Sequence, residues 1–308
     1  LAPPPYTTKY ETEILAEEQR EGYRAKKLCF NLTGYSRVNA YVLIPDGEGP
    51  FPAVVLLHDH GGHYTIGKEK MIRPFGVDKA VLDDADAWAA NCYGGQYAGD
   101  YLAAHGYVVI SVDALYWGER GRKEGADGSK YADNAGNFMM LGRSLSAFMN
   151  YEDMYTTDYL ATLPEVDPKR IACMGFSMGG YRAWMLSALS DKIQVGAAIC
   201  WMTTTDCQFS WEYGRERGGF ANMLPGIRRY LDYPHIASIA CPKPMLFLNG
   251  EHDKLFPPIG VRAAFAEMHE VWESRSAGDK LVTELWDMPH DCGKKVQAKI
   301  LDFLNKWL

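Results

Sequence analysis

The run Gly175-Phe176-Ser177-Met178-Gly179 constrains this chain more than any other stretch, because its flanks supply what such a turn needs. Upstream, Pro168-Lys169-Arg170 leads into Ile171-Ala172-Cys173-Met174, a short apolar run that reads as a buried strand. Downstream, the residues from Gly180 to Leu189 carry apolar side chains at helical spacing. The expectation is strand, tight turn and helix, with a serine at the apex. Such a turn is so sharp that side chains at its ends collide with neighbouring backbone, and glycine answers that need. The geometry holds the Ser177 hydroxyl clear of a sheet, near the positive end of the following helix. Ser177 is therefore expected to be a nucleophile, against the plainer reading of a structural Gly/Ser turn.

A serine hydroxyl is a weak nucleophile at neutral pH and needs a base, which needs an orienting acid. After this turn the partners follow in the order serine, acid, histidine. Residues 244–250 form a buried-strand run followed by Glu251-His252-Asp253-Lys254, which places Asp253 just past a strand's C-terminal end. Glu251 on the same loop and Asp206 after the preceding strand compete for the acid's role. Residues 281–286 are strand-like and run into Met288-Pro289-His290-Asp291-Cys292-Gly293, ahead of a final helix over 295–308. His290 is the expected base; alone it would read as a solvated loop histidine.

The oxyanion formed on serine attack needs fixed donors. One is the backbone N–H of the residue after the nucleophile, here Met178. The other is expected from the loop after strand 53–57, which opens into His58-Asp59-His60-Gly61-Gly62-His63. The N–H of His60 is the first choice and that of Asp59 the second. The same loop carries a rival: His58, His60 and His63 fall as H-x-H-x-x-H, a spacing at which neutral imidazoles can ligate zinc. That run resembles the one in metallo-β-lactamase-type hydrolases, which place an aspartate where this chain has Gly62. The complete serine constellation makes no metal the expected state.

Three stretches carry a family resemblance: 56–62 around His58-Asp59-His60, the approach 164–171, and Gly175-Phe176-Ser177-Met178-Gly179-Gly180. The chain resembles the α/β-hydrolase superfamily, within it the dienelactone-hydrolase-like and bacterial acetyl-xylan-esterase-like branch. The resemblance runs from about residue 25 to the end. It implies an α/β-hydrolase fold, with a mostly parallel central sheet covered by helices on both faces, and a Ser-Asp-His mechanism without cofactor. Dienelactone hydrolase itself uses cysteine where this chain has Ser177, which speaks against a dienelactone substrate.

Strand-like runs at 27–32, 38–44, 53–57, 107–112, 170–174, 195–200, 245–248 and 281–286 alternate mostly with helical segments. Residues 1–24 read as an N-terminal extension and 25–308 as one catalytic domain, with lid-like insertions near 64–91 and 202–235. With 308 residues and 47% hydrophobic content, the chain suits a single α/β unit. Its net charge of −7 and lack of a basic stripe argue against nucleic acid. No apolar run approaches the roughly 18 residues of a membrane span. The opening Leu1-Ala2-Pro3-Pro4-Pro5 resembles the stiff segment behind a removed leader, so export is expected. Seven cysteines form no dense framework, though one disulfide, from Cys200 or Cys207, has room to form.

Ligands of open α/β sheets bind beyond the strands' C-terminal ends, where both insertions lie. Tyr116, Trp117, Arg120 and Arg122 follow strand 107–112; Trp211, Tyr213, Arg215 and Arg217 lie in the second insertion. Aromatic rings there can stack on sugars and arginines can pair with a carboxylate. Tyr116, Arg120 and Trp201 are the substrate-binding candidates, Trp201 being expected to close the acyl side and favour short acyl groups. The plainer reading is that the aromatics pack the lid and the arginines are solvated. A serine esterase removing short acyl groups such as acetyl from carbohydrate is the expectation. A uronic-acid methyl esterase, a prolyl-oligopeptidase-type peptidase and a non-enzymatic relative are the alternatives.

Overall fold

The computed structural model describes residues 3–121, 127–210 and 219–308. Nine strands form one sheet in the order β1-β2-β3-β5-β4-β6-β7-β8-β9. They are β1 (Glu13–Arg20), β2 (Tyr23–Thr33), β3 (Ser36–Pro45), β4 (Phe51–Leu57), β5 (Val108–Val112), β6 (Val166–Phe176), β7 (Ile193–Ile199), β8 (Met245–Gly250) and β9 (Leu281–Trp286). β1, β2, β3 and β5 pair antiparallel, and from β5 onward every neighbour is parallel. Parallel neighbours need crossovers, and the helices that provide them cover the sheet on both faces. This is the α/β-hydrolase arrangement that the resemblance implies.

Side-chain alternation explains the two-sided core. On β4, Val54 and Leu56 join one apolar cluster, while Ala53, Val55 and Leu57 join the other. The first cluster takes in Leu102 of α2 (Ala98–Ala104) and Val296, Ile300 and Leu304 of α9 (Lys294–Trp307). The second takes in Tyr155 and Tyr159 of α4 (Leu145–Leu160), which follows α3 (Gly128–Met140), and Ala183 and Leu186 of α5 (Met178–Leu189). A third lies where Tyr181 and Trp184 of α5 meet Phe265, Met268 and Trp272 of α8 (Pro258–Ser274), over Phe247 of β8.

One element has no signature in the sequence. Residues 13–20, within the expected extension, are the edge strand β1, with Glu17 opposite Lys26 and Gln19 opposite Arg24. β1 is exposed along most of its length, so it carries no apolar alternation to betray it. Of the insertions, 64–91 contains most of α1 (Lys79–Cys92) and 202–235 holds the short α6 (Thr205–Gln208), with α7 (Tyr233–Ala237) at its end. All seven cysteines lie within the described residues and are free thiols, so the disulfide allowed by the sequence is not formed. Among the described residues no helix is long and apolar enough to cross a membrane.

The tightest junction is where α5 leaves β6. A side chain at Gly175 would run into the backbone of Gly179, one at Gly179 into the carbonyl of Leu57, and one at Gly180 into the carbonyl of Ile199. These obstacles are backbone and cannot rotate away. Gly179→Ala is therefore expected to cost more than about 3 kcal/mol, at or beyond the upper end of ordinary overpacking. Urea denaturation checks this; a midpoint like that of the parent would contradict the crowding.

Candidate active site

Ser177 sits between β6 and α5 with φ 56 and ψ −123, a conformation that L-residues adopt only when the surroundings enforce it. The enforcement is visible. Its N–H donates to Ile199 O of the neighbouring strand at 2.8 Å, and the glycines on either side let α5 pass close to β4. Ser177 is half-buried, and Met178, as the first residue of α5, has an N–H without an acceptor inside the helix.

The next strands of the sheet bring the other groups. Asp253 lies three residues beyond β8 and is buried, while His290 follows β9 on the loop before α9. His290 Nδ1 meets Asp253 Oδ2 at 2.6 Å, and Leu255 N–H donates to Asp253 Oδ1 at 2.8 Å. The imidazole has two phenylalanine rings near it, Phe176 with its centroid 4.7 Å away and Phe256 at 6.2 Å. Phe176 precedes Ser177 in the chain, so the ring contact draws the His290 loop to the serine turn. The two competing acids point elsewhere. Glu251 is exposed and pairs with Arg262 at 2.6 Å; Asp206 is exposed and pairs with Arg228 at 2.9 Å. Beside the histidine–aspartate pair, burial pushes the Cys200 thiol up to about 12, so it is held neutral and works as packing.

β4 is hydrogen-bonded to β6 with Leu57 opposite Gly175, which places the loop after β4 beside the serine turn. His58 is buried; its Nε2 accepts the Ala114 N–H at 3.0 Å and its Nδ1 lies 2.9 Å from Asp59 O. Asp59 is a buried hub. Tyr93 O–H donates to its Oδ1 at 2.6 Å, Trp88 Nε1 to the same oxygen at 3.2 Å, and Lys70 Nζ to Oδ2 at 3.3 Å. The carbonyl of His60 accepts from Lys70 Nζ at 3.1 Å and Trp117 Nε1 at 3.3 Å. The loop offering the His60 N–H is thus held from several sides.

The rival zinc reading of histidines 58, 60 and 63 finds no support in their contacts. His58 is saturated as described, His60 Nδ1 accepts from Gly62 N–H at 3.0 Å, and His63 Nε2 pairs with Asp84 at 2.7 Å. Arg120 does not reach out for substrate; its guanidinium makes a fork of 2.7 and 2.8 Å with the buried carboxylate of Glu152. Tyr116 is buried and donates its hydroxyl to Asp127 O at 3.1 Å. Trp201 is buried among Tyr181, Trp184, Tyr233 and Phe256, one layer behind His290. In each case position after a strand is legible from the sequence, but the direction of the side chain is not. Arg122, Trp211, Tyr213, Arg215 and Arg217 lie outside the described residues.

The loop's supports are equally hard to read from the sequence. Lys70 is fully buried, and only its burial distinguishes it from the solvated lysines of a mixed-charge insertion. Tyr93 and Trp88 come from the end of α1 and just beyond it, where the tryptophan was the one available hint.

Burial holds both loop histidines neutral: His58 is pushed well below the ordinary range and His60 down to about 4, with the Arg182 and Lys70 charges respectively adding to the effect. Unfolding releases them to take up protons near pH 6.5. The unfolded chain then binds more protons, so stability is full above about pH 6.5 and declines as pH falls toward 4. Urea midpoints between pH 7 and 4.5 are expected to fall, less steeply in His60→Gln. An equally steep fall in that variant would contradict the assignment.

Comparisons with known proteins follow the same outline. The Abhydrolase family matches residues 2–276. A Bacillus subtilis (strain 168) relative, YtaP, named as a hydrolase, is 29% identical over 297 residues, covering 96% of this chain and 92% of its own length. A structure described as an acetyl xylan esterase from Bacteroides fragilis NCTC 9343 matches with a TM-score of 0.72 at 20% identity, over 92% of this chain and 70% of that one. A glucuronoyl esterase from Solibacter usitatus matches with a TM-score of 0.68 at 15% identity, over 99% and 88% of the two chains. At such identities the structural likeness speaks to the fold.

Proposed function

This chain belongs to the Abhydrolase family, and from that premise we propose that it is a serine carboxylester hydrolase acting on short acyl esters of carbohydrate. The observation that carries the reading is the buried Asp253 carboxylate 2.6 Å from His290 Nδ1, beside a serine held at φ 56 by its own turn. With Nδ1 donating to Asp253, His290 Nε2 is left as the base. It takes the Ser177 proton as the serine oxygen attacks the acyl carbon. Asp253 fixes the ring's tautomer and stabilises the imidazolium. The N–H groups of Met178 and His60 receive the developing oxyanion. His290 then returns its proton to the departing alcohol, and a water activated by the same imidazole releases the acid. No step calls on a cofactor.

The alcohol and acyl parts rest on different grounds. The esterase names of the fold relatives favour a carbohydrate ester, and the acetyl xylan esterase among them favours a small acyl group. A uronate ester would be served by a cation in the site. Arg120, the described arginine proposed for that task, is committed to Glu152.

Ser177→Ala is expected to lower kcat by on the order of 10⁶ while leaving thermal unfolding unchanged, as for loss of a triad nucleophile elsewhere. Retention of a tenth of the parent rate would end the serine mechanism. A series of acetate, butyrate and octanoate esters, run beside acetylated and methyl-esterified polysaccharides, tests the substrate. The highest kcat/KM is expected on acetate. A clear optimum at octanoate, or turnover of methyl-esterified uronate alone, would overturn the acetyl reading.

A further inference from the structure

The peptide unit joining Asp59 to His60 contains both the Asp59 carbonyl oxygen and the His60 N–H. Across a trans peptide these point in opposite directions. The oxygen faces inward to two fully buried side chains, Lys70 and His58. Lys70 Nζ donates to it at 3.1 Å, and His58 Nδ1 lies 2.9 Å away. The His58 tautomer is fixed from behind, because the Ala114 N–H donates to Nε2 at 3.0 Å, leaving Nδ1 to carry the proton. One carbonyl thus accepts from an ammonium and an imidazole N–H together.

We propose that Lys70 and His58 are positioning residues for oxyanion stabilisation, polarising the Asp59–His60 peptide so that the His60 N–H becomes a stronger and better aimed donor. The inference rests on the serine esterase reading above. A cation on the carbonyl oxygen draws electron density through the amide and strengthens the N–H at its other end, as chained hydrogen bonds do in a dry interior. The effect acts where negative charge develops, so it works on the transition state and little on the bound ester. The ammonium is tolerable there because Asp59, itself bonded by Tyr93 and Trp88, supplies the countercharge.

A purely structural ion pair would show itself in stability and in KM. Polarisation would show itself in kcat. The experiment therefore compares Lys70→Met, and the charge-balanced double variant Asp59→Asn with Lys70→Met in case the single one fails to fold, with the parent and Ser177→Ala. On an acetyl ester, kcat is expected to fall about ten- to a hundredfold, up to the loss seen on removing one oxyanion donor, with KM changed less than about twofold. Inhibition by an acetyl-sized trifluoromethyl ketone should weaken by the same factor. Its carbonyl takes up the Ser177 oxygen, the proton passes to His290, and the resulting alkoxide needs the same donors.

The His60 amide proton, followed by NMR, is expected to move upfield in the folded variants and supplies a readout independent of turnover. A parent enzyme that is inactive on every ester, or active without Ser177, overturns the esterase reading. Parent-like kcat and inhibitor affinity in a folded variant, or a loss confined to KM, overturn this inference alone. So does an unmoved His60 amide.

Discussion

Backbone lies against backbone where α5 begins, and the rest of the site depends on that contact. The turn can close only because Gly175 and Gly179 have nothing that would strike each other's main chain or the Leu57 carbonyl. Closing it forces Ser177 into a left-handed conformation and brings the start of α5 to the end of β4. β4 and β6 are sheet neighbours, so the loop after β4 and the first N–H of α5 meet at one place. The two candidate oxyanion donors are consequences of strand order and of two missing side chains.

Strand order also delivers the remaining groups. β7, β8 and β9 follow β6 in register-matched parallel pairs, so their C-terminal loops open on the same edge. Asp253 and His290 come from adjacent strands and meet at hydrogen-bond distance without any long-range adjustment. Phe176 and Phe256 then lie against the imidazole, adding ring contacts to the hydrogen bond that the carboxylate makes. A pre-set ring is what general base catalysis asks of a site, since no reorganisation has to occur at the moment of reaction.

The legible parts of the sequence were those with a steric or periodic signature. The G-x-S-x-G turn, the order of Ser177, Asp253 and His290, and the buried parallel strands all carry one. β1 did not, because an exposed edge strand such as 13–20 takes its form from pairing with β2 rather than from an apolar face. Arg120, Tyr116 and Trp201 show the other limit. Each was placed after the right strand, yet a loop residue's direction depends on what waits inside. Glu152 waited for Arg120, and a cluster of rings for Trp201. Lys70 was illegible for the same reason: its partners Asp59 and His60 O are brought to it only by the fold.

Buried charge completes the framework. Glu152 and Asp153 are consecutive on α4 and face two different cations, Arg120 from the loop after β5 and Arg182 from α5. Ala114 on that same β5 loop donates its N–H to His58. α5, α4, the loop after β5 and the loop after β4 are therefore joined in one chain of buried polar contacts. Breaking a buried pair by removing one partner costs about 3–5 kcal/mol, because the survivor is left charged and unmatched. Salt in solution screens such pairs little. The loop after β4 gains its alignment from that arrangement, because it is held by groups that lie almost wholly out of reach of water.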